Sequence, residues 1–144
     1  DAVLAKAPSH PDALGAKGQL LASEGRVKEA LPYFEKATAT SAPEPFIDLA
    51  RAYLAAGDAT KARDAAAEAL TRSPGHPWAM AVLGEALVRH GERERGVEYL
   101  TRALAVGPRR PAVWNSLASG FDAANDPQHA KYCRRQAAAL ASAR

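Results

Sequence analysis

The feature that most limits what this chain can fold into is an internal pattern that returns about every 34 residues. WNSLASGF at 114–121 places a large apolar residue, then a leucine followed by a small residue, then an aromatic residue. FIDLARAY at 46–53 repeats this order, and MAVLGEAL at 80–87 repeats it with Leu87 in place of the aromatic residue, both at steps of 34. LGAKGQLL at 14–21 follows after a step of 32, with Lys17 in place of the leucine and Leu21 in place of the aromatic residue. Four copies therefore fill the chain of 144 residues.

Each copy has the pattern of two helices joined by a turn. Apolar residues three, four and seven apart mark one buried helical face, and the small residue within it allows a second helix to approach closely. Between the halves stand Gly25, Gly57, Gly91 and Asn125, residue types that adopt positive φ and end a helix. The second halves share a small position occupied by Ala30, Ala62, Gly96 and Ala130. Asp58 and Asp126 are predicted to cap the second helices of their copies.

This pattern resembles the tetratricopeptide repeat family over essentially the whole chain. The resemblance implies an all-α fold, a right-handed α-α superhelix built as a solenoid of antiparallel helix hairpins. We predict one array over residues 1–144, with the end of a preceding repeat at 1–10 and repeats at 11–42, 43–76, 77–110 and 111–144. The last repeat is polar enough to act as a C-terminal cap, so we expect the native array to end near Arg144 and to extend upstream of Asp1.

Three prolines and one lysine depart from the pattern. The first copy is short, so Pro43 and Pro45 should enter the next helix near its start. Pro32 lies inside a predicted helix, early enough to be tolerated as a mild bend. Lys17 takes a site that is apolar in the other copies, and its stem is expected to snorkel.

Composition narrows the functional classes. Aromatic residues are only 6% of the chain and β-branched residues are sparse, which favours helices. The formal charge of +3 comes from basic residues scattered among acidic ones, so nucleic-acid binding has no support. No apolar run is long enough for membrane insertion by this fragment, and the compartment stays open. The Ala- and Arg-rich composition favours a bacterial source.

The sequence contains none of the motifs that carry catalysis or metal binding. It has no HExxH, no paired cysteines, no calcium loop and no Gly-rich phosphate loop. We therefore predict no catalytic residues, no metal and no cofactor, and that the chain is not an enzyme. The four histidines are interpreted as structural or solvated. Cys133 is interpreted as a semi-buried structural thiol, although Arg134 and Arg135 beside it would favour a thiolate.

The resemblance also implies a binding surface. In this family the first helices of the repeats line a concave groove that often takes a peptide or a helix of a partner. Carried over to this chain, the exposed groove candidates are Gln19, Ser23, Asp48, Arg51, Trp78, Glu85, Arg89, Asn115, Ser119 and Asp122. The Lys, Asn and Arg clamp of chaperone-binding members is not matched here.

Three of these candidates have alternative interpretations. Trp78 precedes the buried face of its helix, so an exposed indole in the groove is expected. The alternative is a staple packed on the junction near Pro77. Arg51 and Arg89 are suited to holding a carboxylate of a partner, but Asp48 and Glu85 are near enough to pair with them instead.

The function predicted from these observations is a protein–protein interaction scaffold that binds a peptide or helical segment in the concave groove. Two alternatives stay open. The array is a recruiting or positioning arm of a larger enzyme or of a secretion or assembly component, or it is a self-association module. The expected partner is a protein or peptide in the first two cases and a second copy in the third.

Overall fold

The computed structural model describes residues 10–143, and these form eight α-helices and no strand. The helices are α1 (Pro11–Ser23), α2 (Val27–Ala37), α3 (Glu44–Ala55), α4 (Ala59–Arg72), α5 (Pro77–Arg89), α6 (Arg93–Val106), α7 (Pro111–Ala123) and α8 (Pro127–Ser142). Each predicted repeat contributes two of them. The repeat end predicted at 1–10 falls, except for His10, outside the described residues.

The turns inside the hairpins have the predicted chemistry. Asn125 adopts φ 60°, and the glycines at the equivalent turns also adopt positive φ. The carboxylates of Asp58 and Asp126 accept hydrogen bonds from the backbone N–H groups of Lys61 (3.0 Å) and His129 (3.1 Å). These bonds satisfy donors that the first turn of a helix leaves without an intrahelical partner, so both predicted N-caps are confirmed.

Prolines mark the starts of most helices and the ends of some. Pro43 and Pro45 lie at the start of α3, as predicted, and Pro32 lies inside α2. Pro108 follows the end of α6, where Gly107 adopts a left-handed conformation with φ 66°. A proline has no N–H to donate, so it is accommodated in a first turn and stops a helix elsewhere.

The chain divides into two compact units, Asp1–Ser73 and Pro74–Arg144. In the first unit, α1 packs against α2 and α3 against α4, and α2 and α3 join the two hairpins. In the second unit, α5 packs against α6 and α7 against α8, and α5 and α7 lie side by side. The single array with the repeat bounds given above stays a prediction.

The second unit shows why the small positions of the repeat are small. Leu100 of α6 is fully buried against α5 and α7. A Cβ added at Gly84 would lie 2.7 Å from Leu100 Cγ, and one added at Gly120 would lie 2.5 Å from Leu100 Cδ2. Glycines on two helices therefore make the space that one leucine from the third fills.

Candidate interaction surface

A cleft in the first unit lies between α1 and α3, with α2 beneath it. It consists of two adjoining cavities of about 400 Å³ each. Gln19, Phe34 and Asp48 border both cavities, and Phe34 is 3% exposed. We call these the first cavity, which extends toward Pro11 and Glu44, and the second cavity, which extends toward Ser23 and Ala55; together they are the cleft.

Small side chains account for the space. Gly15 and Ala16 of α1 line the first cavity, and Ala52 and Ala55 of α3 line the second. None of them reaches far enough to fill the gap, and α1 and α3 contact each other less extensively than α5 and α7 do. The floor is Phe34 instead, so the cleft has an apolar base and polar groups on its walls.

The four candidates predicted in the first two repeats lie in the cleft. Gln19 Nε2 donates to Asp48 Oδ2 at 3.3 Å, and Arg51 Nη1 lies 3.9 Å from Asp48 Oδ1. Of the two interpretations of Arg51, the structure has the pairing with Asp48. Ser23 Oγ donates to the carbonyl of Leu20 at 2.7 Å. Gln19, Ser23, Asp48 and Arg51 all line the second cavity.

In the second unit, the candidate Glu85 is only 7% exposed, so its predicted exposure is wrong. Its Oε2 accepts hydrogen bonds from Arg89 Nε at 2.8 Å and from Ser119 Oγ at 3.0 Å. Of the two interpretations of Arg89, the structure has the pairing with Glu85. Ser119 lies on α7, which packs beside α5, and its hydroxyl donates a hydrogen bond to the buried carboxylate of Glu85. The sequence of α5 alone does not indicate this partner. Asp122 pairs with Arg134 of α8, and Asn115 is exposed.

Trp78 is likewise buried, at 7% exposure, and the expected exposed indole is wrong. Its Nε1 donates to Ser116 Oγ at 3.0 Å, and the guanidinium of Arg110 lies over the ring at 4.5 Å from its centroid. The indole thus packs inside the second unit, with its one donor satisfied and a cation on its face. Both partners come from residues more than thirty positions later, so neither was evident in the sequence of α5.

Outside the cleft, Cys133 and His129 pack or form hydrogen bonds within the second unit. Cys133 is fully buried, and burial raises the pKa of its thiol to about 11 despite the opposing effect of Arg134. The thiolate that the neighbouring arginines suggested is therefore disfavoured. His129 stacks on Phe121 with ring centroids 4.9 Å apart, and its Nδ1 lies 2.6 Å from Asp126 Oδ2.

His10 and His76 cap helices. His10 Nδ1 accepts from the N–H of Asp12 at 3.2 Å, and His76 Nδ1 accepts from the N–H of Ala79 at 3.4 Å. Between residues 10 and 143, no three His, Cys, Asp or Glu side chains come together as a metal site would require. None of the helices described is both long and apolar enough to cross a membrane.

Sequence reasoning missed the residues that give the cleft its form. Nothing in the repeat pattern distinguishes Phe34, Asp12 or Glu44, all of which line the first cavity. The available signal was the run of small residues in LGAKGQLL, which lacks the bulk to fill the space against α3.

Two models of the tetratricopeptide repeat match the chain, one over residues 53–120 and the other over residues 1–45. Together they cover most of the sequence. The chain belongs to the tetratricopeptide repeat (TPR) family, and the all-α helical-repeat fold predicted from the internal pattern is confirmed. Comparison with curated proteins gave no match.

Solved structures with the same fold come from varied proteins. A thermophilic TPR protein of Thermus thermophilus is 25% identical, with a TM-score of 0.72 over 92% of this chain and 75% of that one. MamA is 18% identical, with a TM-score of 0.68 over 99% of this chain and 84% of that one. A chain of the APC/C hetero-tetramer Cut9–Hcn1 is 21% identical, with a TM-score of 0.77, and 98% of this chain matches only 28% of it.

Membership in this family defines the general class of function. TPR chains are protein-interaction scaffolds and are generally not enzymes, so the partners of this chain are proteins. The fold alone does not select the surface that binds, because function depends on particular sites rather than on the fold.

Proposed function

We propose that this chain binds an extended segment of a partner protein in the cleft of the first unit. The observation that carries the proposal is that four of the ten candidate residues, Gln19, Ser23, Asp48 and Arg51, line one cavity together. In the second unit, by contrast, Trp78 and Glu85 are buried and hydrogen-bonded within the unit. Arg89, Asn115, Ser119 and Asp122 remain secondary candidates there.

The cleft has the mixture of surfaces that peptide recognition uses. Each cavity, at about 400 Å³, lies within the range of about 300–1,000 Å³ typical of ligand sites. Pro11, Ala16 and Ala55, which are at least partly exposed, offer apolar surface for a side chain of the partner. Gln19, Asp48 and Arg51 supply donors and acceptors on the walls, which fix the orientation of a bound segment and its backbone.

The experiment starts from peptides, because the natural partner is not identified. The whole chain is panned against a phage library of random dodecapeptides, and the enriched peptides are labelled and titrated by fluorescence anisotropy. Two variants fill the cleft: Ala16→Trp in the first cavity and Ala55→Trp in the second, both at exposed positions. Ala67→Trp is the matched control, an exposed alanine of α4 outside the lining of the cleft.

We expect peptides that bind the wild type with dissociation constants of about 1–100 μM. One or both filling variants should weaken this binding at least tenfold, and Ala67→Trp should leave it unchanged. Enrichment of no peptide, or binding that neither filling variant alters, would contradict the proposal. Light scattering of the wild type and Ala16→Trp tests self-association in parallel. A dimer that Ala16→Trp disrupts would place a second copy in the cleft instead of a partner protein.

A further inference from the structure

We infer that the segment bound in the cleft carries a lysine or arginine side chain, and that this side chain occupies the first cavity between Asp12 and Glu44. The inference rests on the proposed function, because it specifies what the same cleft selects. It goes further because it assigns a basic side chain to the partner and names the first cavity as the part of the cleft that binds this side chain.

Charge is the first argument. The chain carries 19 Lys and Arg against 16 Asp and Glu, a formal excess of +3. Among the residues that the structure describes, the lining of the first cavity has the opposite sign: it includes Asp12, Glu44 and Asp48 and no Lys, Arg or His. A cavity of one sign on a chain of the other sign selects partners by charge, since a basic side chain gains attraction there and an acidic one is repelled.

The three carboxylates are not equivalent. Asp48 accepts the hydrogen bond from Gln19 and faces Arg51, so part of its charge is already balanced. Asp12 and Glu44 form no ion pair with any residue in the 10–143 range. They lie in the first turns of α1 and α3, and both line the first cavity.

The shape of the cavity agrees with a long basic side chain. Pro11, Ala16 and Pro45, all at least partly exposed, give apolar surface in the cavity, and Asp12 and Glu44 in its lining are exposed. Lysine and arginine bury an alkyl stem on such a surface while the charged head remains in contact with water and carboxylates. A short polar side chain would leave this apolar surface uncovered, and a purely aliphatic one would leave the carboxylates without a cation.

Asp12 and Glu44 also have a role that needs no ligand, because an acidic residue in the first turn interacts favourably with the helix dipole. The two roles predict different results. The dipole role affects the stability of α1 and α3 with every peptide alike, whereas recognition affects affinity only when the peptide carries a positive charge.

The test uses the highest-affinity cleft-binding peptide from the library. It also uses a set of copies of this peptide, in each of which one Lys or Arg is replaced by norleucine. Affinities are measured at about 20 mM and 500 mM NaCl with the wild type and with Asp12→Asn/Glu44→Gln. The control Asp64→Asn/Glu94→Gln removes the same charges at exposed positions outside the cleft. Low salt is needed because exposed charges are strongly screened at high salt.

We expect one basic residue whose replacement weakens binding to the wild type about fivefold to tenfold at low salt and about twofold or less at high salt. Asp12→Asn/Glu44→Gln should bind the parent peptide about fivefold to tenfold more weakly than the wild type does at low salt. It should bind the norleucine peptide with the same affinity as the wild type. That equal binding also shows that the variant is folded. The control pair should change neither affinity by more than about twofold.

Three results would overturn the inference while leaving the proposed function intact. The first is a peptide displaced by Ala16→Trp that contains no Lys or Arg. The second is a peptide whose norleucine copies all bind as well as the parent. The third is a parent peptide whose affinity falls equally with Asp12→Asn/Glu44→Gln and with the control pair. Peptides that Ala16→Trp and Ala55→Trp both leave unaffected would instead remove the cleft as the site, and the proposed function with it.

Discussion

Two helical glycines lead to opposite expectations for the same substitution. A Cβ at Gly96 would lie 2.5 Å from Val88 Cγ2 and 2.6 Å from the carbonyl oxygen of Gly84, so the facing backbone would have to move. At Gly15 the nearest atom is Ala37 Cβ at 4.0 Å, an ordinary contact. Gly96→Ala should therefore lower the free energy of unfolding by about 2 kcal/mol. Gly15→Ala should raise it by about 0.5–1 kcal/mol, because alanine has the higher helix propensity.

Urea denaturation followed by circular dichroism measures both changes. Each variant is the control for the other, since the chemical change is identical and only the surroundings differ. A neutral Gly96→Ala would mean that α5 and α6 are not in close contact at this position.

The cap of α8 gives a pH-dependent expectation. The hydrogen bond from the His129 N–H, followed by the side-chain interaction with His129, lowers the pKa of Asp126 below its ordinary value of 3.8. Because the folded-state pKa is the lower one, the stabilisation is complete above the unfolded-state pKa and is lost as the pH falls through the folded-state pKa. Asp126→Ala should cost about 1 kcal/mol at pH 7 and progressively less below about pH 4.

Thermal unfolding between pH 2.5 and pH 7 compares the wild type with Asp126→Ala and Asp126→Asn. Asparagine retains a capping oxygen that does not titrate, so its variant should lose less stability at pH 7. A stability difference between wild type and Asp126→Ala that stays constant across this range would show that the ionised carboxylate is not what stabilises the cap.

The helices themselves were predictable because their signals are local. The turn glycines, Asn125, and the caps at Asp58 and Asp126 act within a few residues of where they stand in the sequence, and the repeat showed each signal several times. The burial of Trp78 and Glu85 was not predictable in this way. Each depends on an α7 side chain, Ser116 or Ser119, that arrives only when two helices pack together. The cleft was missed for the same reason, since it is a gap between α1 and α3.

The packing of the second unit predicts a large effect from one side chain of α6. The fully buried side chain of Leu100 fills the space next to Gly84 and Gly120. Leu100→Ala would therefore create a cavity between three helices. We expect the free energy of unfolding to fall by about 3 kcal/mol. In native-state hydrogen exchange, the amides of α5, α6 and α7 should lose protection. Leu20→Ala, at a leucine that is 49% exposed, is the control and should cost less than about 0.5 kcal/mol.

The pattern of contacts across both units bears on how the chain folds. In each unit, the described helices contact only helices that are next to them in the sequence or one further along. Contacts between segments close in sequence require little loop closure, and helical proteins of this kind fold in microseconds to milliseconds. Refolding of the whole chain after a brief unfolding pulse, too short for proline isomerisation, should therefore be complete within tens of milliseconds by stopped-flow fluorescence of the two tryptophans. Both tryptophans lie in the second unit, so circular dichroism is recorded in parallel to follow the first. A dominant phase of seconds that persists after short pulses would contradict this expectation, because it would require a barrier that local helix packing does not supply.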